Sequence, residues 1–237
     1  AEYELRGEGR TSLGLNYSLL FADGTGSNAN SSAALIQANL PNLRSLYPTS
    51  RDVRHQITAI LDYRFKGGSD YTGPIWFDKK VFQNAGANFI ISTKSGEPYS
   101  AYVNPVASVA VGTASRQSLD GNPFGSRLPW QFKVDGNFSK NFTVKKKNPK
   151  DQYRRQSMEM QAFLWVQNML NTQNVQGVYG YTGLSSDDGW LSSPQGQQQA
   201  QNEVNTQSYL DLYNAKVDNP QNYALPRLTR IGLRVYF

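Results

Sequence analysis

The chain contains one histidine and no cysteine, so it has few residues for nucleophilic or metal chemistry. A cysteine nucleophile and thiolate metal ligands are excluded, and a serine triad would depend on His55 alone. His55 opens an alternating stretch, and a residue at the edge of a strand is the simpler interpretation. We therefore assign no catalytic residue and expect no enzyme activity.

Asp187-Asp188-Gly189 is a second candidate for chemistry, because adjacent carboxylates can bind calcium. The ordered ligand series of a dedicated calcium loop is missing around this motif, however. Asp followed by Gly is also typical of a tight turn. We expect a turn, with no metal and no cofactor, and keep calcium binding as the alternative.

The remaining charged candidates lie on stretches in which apolar and polar side chains alternate. A period of two is the pattern of a β-strand with one apolar face. At the carboxyl end, for example, Ile231, Leu233 and Val235 fall on one side, and Arg230 and Arg234 fall on the other. Such stretches predict about six strands, at residues 10–21, 55–65, 87–94, 130–144, 158–170 and 225–237.

The connections between these predicted strands alternate in length. Long polar segments at 22–50, 99–129 and 183–224 are separated by shorter ones at 66–86 and 145–157. In an antiparallel sheet the long connections would share one end, as they do in membrane barrels. Since the chain also lacks an apolar run long enough for a membrane helix, the pattern predicts an all-β, antiparallel transmembrane barrel whose apolar face contacts lipid.

The composition is compatible with this interpretation. The mean hydropathy of -0.58 is low, but half of each barrel strand faces a polar interior. The net charge is +6, and one basic cluster starts at Lys145-Lys146-Lys147. A solvated turn explains that cluster better than a nucleic-acid site does, because the other basic residues are scattered. We expect no nucleic-acid partner.

Two groups of residues should then lie near a membrane interface. Lys140 falls on the apolar side of its stretch, and a lysine at mid-membrane costs about 2–4 kcal/mol. We expect it to lie near an interface and to extend its ammonium towards water. Aromatic residues near predicted strand ends suit the same interfaces; they are Tyr63, Phe65, Trp76, Phe77, Trp130, Tyr236 and Phe237.

Four segments, in this order, resemble the carboxyl-terminal barrel segment of TonB-dependent outer-membrane receptors. They are Ala87-Asn88-Phe89 through Ser95-Gly96-Glu97-Pro98-Tyr99, Arg127-Leu128-Pro129-Trp130, the stretch from Leu164 to Thr172, and Leu225-Pro226-Arg227 with the final Phe237. Leu170-Asn171-Thr172, after a strand, is the most specific element. The closest resemblance is to the subclass with an amino-terminal carboxypeptidase-regulatory-like domain.

This resemblance implies that the chain supplies about six carboxyl-terminal strands of a 22-stranded barrel with long extracellular loops. The expected location is the outer membrane of a Gram-negative cell, and the expected function is TonB-energised uptake of a bulky nutrient. Expected partners are outer-membrane lipid, the remaining strands and plug of the receptor, and the TonB complex through an upstream segment. The barrel assembly machinery would read a terminal signal formed by Leu233, Val235, Tyr236 and Phe237.

In such a barrel, six charged residues would face the lumen, where they either line a substrate path or pair with the plug and neighbouring strands. They are Asp62, Arg64, Lys133, Asp135, Arg230 and Arg234. Five loop aromatics are the candidate ligand contacts: Tyr99, Tyr102, Tyr179, Tyr181 and Trp190. Two alternatives remain: a structural barrel component of, or a client bound to, an outer-membrane assembly or secretion complex, and a soluble β-sandwich binding domain.

Overall fold

A single antiparallel sheet of seven strands dominates the computed structural model, which describes residues 2–6, 10–26, 30, 33, 45–107, 118–146 and 156–236. Each strand pairs with its neighbours in the sequence, so the sheet is an up-and-down meander. The antiparallel β prediction is confirmed, and within the described residues the sheet is open and no barrel closes. The strands are β1 (Glu2–Arg6), β2 (Thr11–Leu19), β3 (His55–Arg64), β4 (Ala85–Lys94), β5 (Gln131–Lys146), β6 (Gln156–Gln167) and β7 (Leu228–Tyr236).

The strand register places the alternating apolar positions of all seven strands on one face of the sheet. Leu13 lies opposite Leu61, and Leu61 lies opposite Phe89. Farther along the strands, one row crosses five of them: Tyr63, Ala87, Phe138, Leu164 and Ile231. We call this side the apolar face and the opposite side the polar face.

The prediction of about six strands was too low by one, because β1 spans only five residues and gives too short an alternation to recognise. Three predicted strands were too long by two or more residues, and the one predicted at 10–21 spans Thr11–Leu19. The strand predicted at 158–170 ends at Gln167, since Asn168 takes a positive φ of 49°. The strand predicted at 225–237 begins at Leu228, after Pro226, which has no N–H for the ladder. Phe237 lies outside the described residues.

Connections of different length lie at the two ends of the sheet. The strand ends joined by 20–54, 95–130 and 168–227 share one end of the sheet, which we call the long-loop end, and those joined by 7–10, 65–84 and 147–155 share the other, the short-loop end. At the long-loop end, Asp23–Gly24 pairs with Tyr47–Pro48 and Pro98–Tyr99 pairs with Ser126–Arg127. At the short-loop end, Ile75–Trp76 pairs with Lys79–Lys80, near a 3₁₀ turn at Gly68–Asp70.

The connection 168–227 contains two α-helices, where the sequence predicted only a loop at 183–224. They are α1 (Pro194–Asn202) and α2 (Thr206–Val217), followed by a 3₁₀ turn at Pro220–Asn222. Ser193 caps α1 by accepting the Gly196 N–H, and Pro194 stands at the first turn, where a missing N–H costs nothing. Asn205 caps α2 in the same way through the Ser208 N–H.

Buried apolar side chains lie in the connections and helices and not in the sheet. The described ones are Tyr71, Leu128, Ala200, Tyr213 and Val217. On the apolar face, by contrast, Ile231 is 83% exposed and Leu233 is 54% exposed. No second sheet or helix of the described ranges packs extensively on either face. No described helix is long and apolar enough to cross a membrane.

Candidate functional site

An aromatic stack marks the long-loop end of the apolar face. The His55 ring stacks on Tyr17 and on Trp130, with centroid separations of 6.1 and 5.8 Å. The Tyr17 hydroxyl lies 2.8 Å from His55 Nδ1. Ser95 accepts the His55 N–H through its hydroxyl. His55 thus lies at the start of a strand, as predicted, with Nδ1 beside a tyrosine hydroxyl and its N–H bonded to a serine.

A second aromatic group lies at the short-loop end of the same face. Phe65 packs edge-on against Tyr63 at 4.9 Å and stacks on Phe82 at 5.6 Å. Phe82 in turn contacts Trp76 at 6.1 Å, so the connection 65–84 folds back beside the sheet. The apolar face therefore has rings at both ends.

The distance between these two aromatic groups can be estimated from the positions of His55 and Phe65. They are ten positions apart, which corresponds to about 33 Å along a strand. At the strand tilt of about 35–45° found in membrane barrels, this spans about 25 Å, the height of a barrel's apolar band.

Lys140 lies on the apolar face, in the row formed with Ala85 and Ala162. Its ammonium donates to the Val81 carbonyl at 2.6 Å, which holds the side chain beside the short-loop end. On β5 the apolar positions nevertheless continue past it, with Phe142 and Val144 both exposed. Lys140 is thus a cation with apolar neighbours on both sides along its strand.

The polar face contains all six charged residues that the sequence predicted for a lumen, and the structure shows how they pair. Arg64 Nε lies 2.9 Å from Asp62 Oδ1 on the same strand. Lys133 Nζ lies 2.8 Å from Asp135 Oδ2, while the other oxygen of Asp135 accepts the Asn168 N–H. These four charges therefore neutralise one another locally.

The two arginines of β7 bind aromatic rings instead of carboxylates. The Arg230 guanidinium lies 5.2 Å from the centre of the Trp165 ring, and that of Arg234 lies 5.0 Å from Phe163. Phe163 also covers Gly232, where an added Cβ would come within 2.3 Å of the ring. Both rings lie on the polar face because the register pairs Trp165 with Arg230. The sequence pattern placed these residues on the polar side but did not predict the pairs.

At the long-loop end, an ion pair joins two connections. The Asp52 carboxylate is 1% exposed and binds the Arg127 guanidinium, with Arg54 at 3.7 Å. Arg127 Nη1 also donates to the Asp52 carbonyl at 2.5 Å. Burial raises the pKa of Asp52, but the Ala22 N–H and the two guanidinium groups outweigh it, so the pKa of this carboxyl lies below its usual value.

All four segments singled out by the sequence have residues at this end. Arg127 pairs with Pro98 in a short ladder, and the backbone of Leu128 closes over Gly96, where a Cβ would lie 1.6 Å from the Leu128 oxygen. Asn168, almost fully buried, donates to the carbonyls of Thr172 and Leu225. The segments are thus parts of one hydrogen-bonded rim.

The side chain of Asn174 extends the rim by making the two backbone hydrogen bonds that a neighbouring strand would otherwise make. Its side-chain oxygen accepts the Phe132 N–H at 2.8 Å, and its amide nitrogen donates to the Phe132 carbonyl at 2.8 Å. The backbone carbonyl of Asn174 accepts the Ala224 N–H, which ties the start of the connection 168–227 to its end. One side chain thus satisfies both backbone groups where β5 begins.

The five aromatic residues predicted as ligand contacts lie in the long loops, and most of them pack on glycines. Tyr102 covers Gly180, the Tyr99 hydroxyl lies over Gly183, and Tyr181 covers Gly189. The described connections 95–107 and 168–227 thereby touch each other, and Tyr102 N–H donates to the Gly180 carbonyl at 3.1 Å.

Tyr179 and Trp190 are held by the helical part of the same region. The Tyr179 hydroxyl donates to the Val217 carbonyl at the end of α2, and burial raises its pKa, with a further contribution from the charges of Asp188 and Asp218. The Trp190 indole nitrogen is buried and has no hydrogen-bond acceptor.

The Asp187-Asp188-Gly189 motif forms a turn. Asp187 accepts the Gly189 N–H, and Asp188 accepts the Trp190 N–H and the Tyr213 hydroxyl. Gly189 takes a positive φ of 75°. Within the described ranges, no group of three or more metal-binding side chains occurs.

No family model, curated protein or solved structure matches the chain.

Proposed function

We propose that the chain is the carboxyl-terminal part of an outer-membrane β-barrel receptor that imports a bulky nutrient with energy supplied through TonB. The membrane part of this proposal depends above all on the exposed apolar face between the two aromatic groups. A soluble sheet would bury such a face against a second layer, whereas a bilayer covers it with hydrocarbon and accommodates rings at both headgroup levels.

The two faces of the sheet differ as they do in a membrane barrel. On the polar face, the six predicted lumen charges are paired with each other or with rings, which suits a water-filled or plugged interior. The connections also differ at the two ends, as in barrels whose long loops lie outside the cell. In this orientation the short-loop end is periplasmic and the rim of long loops faces the medium.

The open edges of the sheet require further strands. In lipid, each unpaired backbone group at the edges of β1 and β7 would cost several kcal/mol. The proposal therefore places the remaining strands of the receptor against these edges.

The import function rests on the segments that resemble TonB-dependent receptors. These segments form the rim and its connection to β5 and β6, where a barrel of this kind would receive its nutrient. The ligand-contact residues of the proposal remain the rim aromatics Tyr99, Tyr102, Tyr179, Tyr181 and Trp190.

The membrane proposal is tested by extraction and gel migration of the natural full-length protein. We expect it to require detergent for extraction and to migrate differently before and after boiling. A protein that stays in solution without detergent and migrates identically in both states would contradict the barrel. Import is tested separately by comparing growth on bulky nutrients after deleting either this protein or TonB; a growth defect that does not depend on TonB would favour the structural alternative.

A further inference from the structure

A shallow groove of about 600 Å³ crosses the apolar face near the short-loop end. Its floor is low because three small residues line it: Ala85 and Ala87 on β4 and Ala162 on β6, with Lys140 of β5 between Ala85 and Ala162 in the strand register. Larger side chains rise on both sides, with Phe65 and Phe82 on one and Leu164 and Ile231 on the other. The groove is thus an apolar trough that runs across the strands.

One charged side chain, Lys140, lines this groove. Its ammonium has three protons and gives one to the Val81 carbonyl, so donors remain for a ligand. A lysine on a lipid-facing surface costs free energy, and an anionic group bound beside it would offset that cost.

The hairpin next to the groove has a composition that suits contact with lipid headgroups. Trp76 is 58% exposed and Phe77 is 97% exposed at its tip. Phe77 and Asp78 both take positive φ, which forms the two-residue turn but is unfavourable for a phenylalanine. The hairpin also has two exposed lysines, Lys79 and Lys80, and one acidic residue, Asp78, so its net charge is positive.

Together these features lead us to propose that the groove binds an anionic phospholipid, with one acyl chain on the alanine floor and the phosphate at Lys140. This inference rests on the proposed membrane location. The occupant is a phospholipid because the short-loop end faces the periplasm in the proposed orientation, and because the groove combines an apolar trough with a cation. The volume lies within the range of small-molecule sites, about 300–1,000 Å³.

Native mass spectrometry of the full-length protein in detergent tests the proposal, with phosphatidylglycerol and phosphatidylcholine as probes. We expect selective retention of phosphatidylglycerol, reduced about fivefold by Lys140→Gln. The matched control is Lys66→Gln, which removes the same charge at the same end of the sheet but on the polar face. Ala162→Phe, which fills the floor, should reduce retention without removing the charge.

The proposal is overturned if both lipids are retained equally, if Lys66→Gln has the same effect as Lys140→Gln, or if Ala162→Phe leaves retention unchanged. Gel migration with and without boiling is measured on the same samples, so that a variant that fails to fold is recognised. Heat-modifiable migration without lipid selectivity would reject the groove and leave the barrel standing. A wild-type protein that needs no detergent would reject both.

Discussion

Arg127 donates to both the carboxylate and the backbone carbonyl of Asp52, which precedes it by 75 positions. This pair fixes the connection 20–54 to the connection 95–130. Without Arg127, the buried carboxylate would keep the Ala22 N–H and one cation, Arg54, at 3.7 Å. Because removing one partner of a buried ion pair costs about 3–5 kcal/mol, we expect Arg127→Met to expose residues 45–54 to limited proteolysis. Arg64→Met, which breaks the more exposed pair with Asp62, should change cleavage little.

Acid should open the same contact. The folded pKa of Asp52 is below its ordinary value of 3.8, so its stabilisation is complete above the unfolded pKa and is lost as pH falls through the folded pKa. Pepsin digestion between about pH 5 and pH 2 should therefore cleave residues 45–54 increasingly below about pH 4. In Asp52→Asn this pH dependence should largely disappear; if it stays unchanged, another group is responsible.

A change of charge should impair membrane insertion much more at Leu233 than at its neighbour Arg234 on β7. Leu233→Arg places a charge on the apolar face and should weaken membrane insertion by about 2–4 kcal/mol if the site lies near mid-membrane. Arg234→Leu removes a charge from the polar face and should lose its contact with Phe163 and a long hydrogen bond to Gln161. Folding into lipid vesicles, followed by gel migration without boiling, measures both. Equal effects would show that the faces are assigned incorrectly.

Two strand glycines on the polar face offer another matched comparison. Gly232→Ala would bring a Cβ within 2.3 Å of the Phe163 ring, so the ring and Arg234 must shift. We expect a loss of about 1–3 kcal/mol in the free energy of unfolding, typical of overpacking. Gly14→Ala meets nothing within 4 Å and should be neutral or slightly stabilising. Urea unfolding of both variants in detergent checks the prediction.

Asn174 should protect the backbone of Phe132 from exchange. Asn174→Leu leaves the Phe132 N–H without its side-chain acceptor and the Phe132 carbonyl with the Thr172 hydroxyl as its one side-chain donor, at a cost of about 1–3 kcal/mol. Hydrogen exchange of the peptide that contains Phe132 should accelerate in this variant. Asn202→Leu, at the exposed end of α1, is the control and should leave that peptide unchanged.

The sheet could be predicted because its information is local. In β5 and β7 most of the alternate residues are apolar, Lys140 being an exception, and this pattern gives strand and face together. It fails where a stretch is short, as in β1. It also missed α1, whose glutamines give little amphipathic contrast, although Ser193-Pro194 is a usable helix-start signal.

The rim and the contacts of the two β7 arginines depend on distant residues, so the sequence alone did not indicate them. Nothing near Asp52 in the chain shows that Arg127 neutralises it. The contact between Arg230 and Trp165 likewise follows only from the register of β6 with β7. The sequence predicted that the aromatic residues proposed as ligand contacts lie in long loops. Their packing on Gly180, Gly183 and Gly189 could be seen only in the structure.

The meander order of the sheet also has a kinetic consequence. Because every ladder joins strands that are adjacent in the chain, the sheet can grow one hairpin at a time, without closing a loop around strands already formed. Loop closure costs least where connections are short. The pairs β1–β2 and β5–β6, joined through residues 7–10 and 147–155, are therefore expected to nucleate first, and β7, which follows the connection 168–227, to join late. In this order of assembly, the edge of β6 that pairs with β7 would stay unpaired longer than the other paired edges of the sheet.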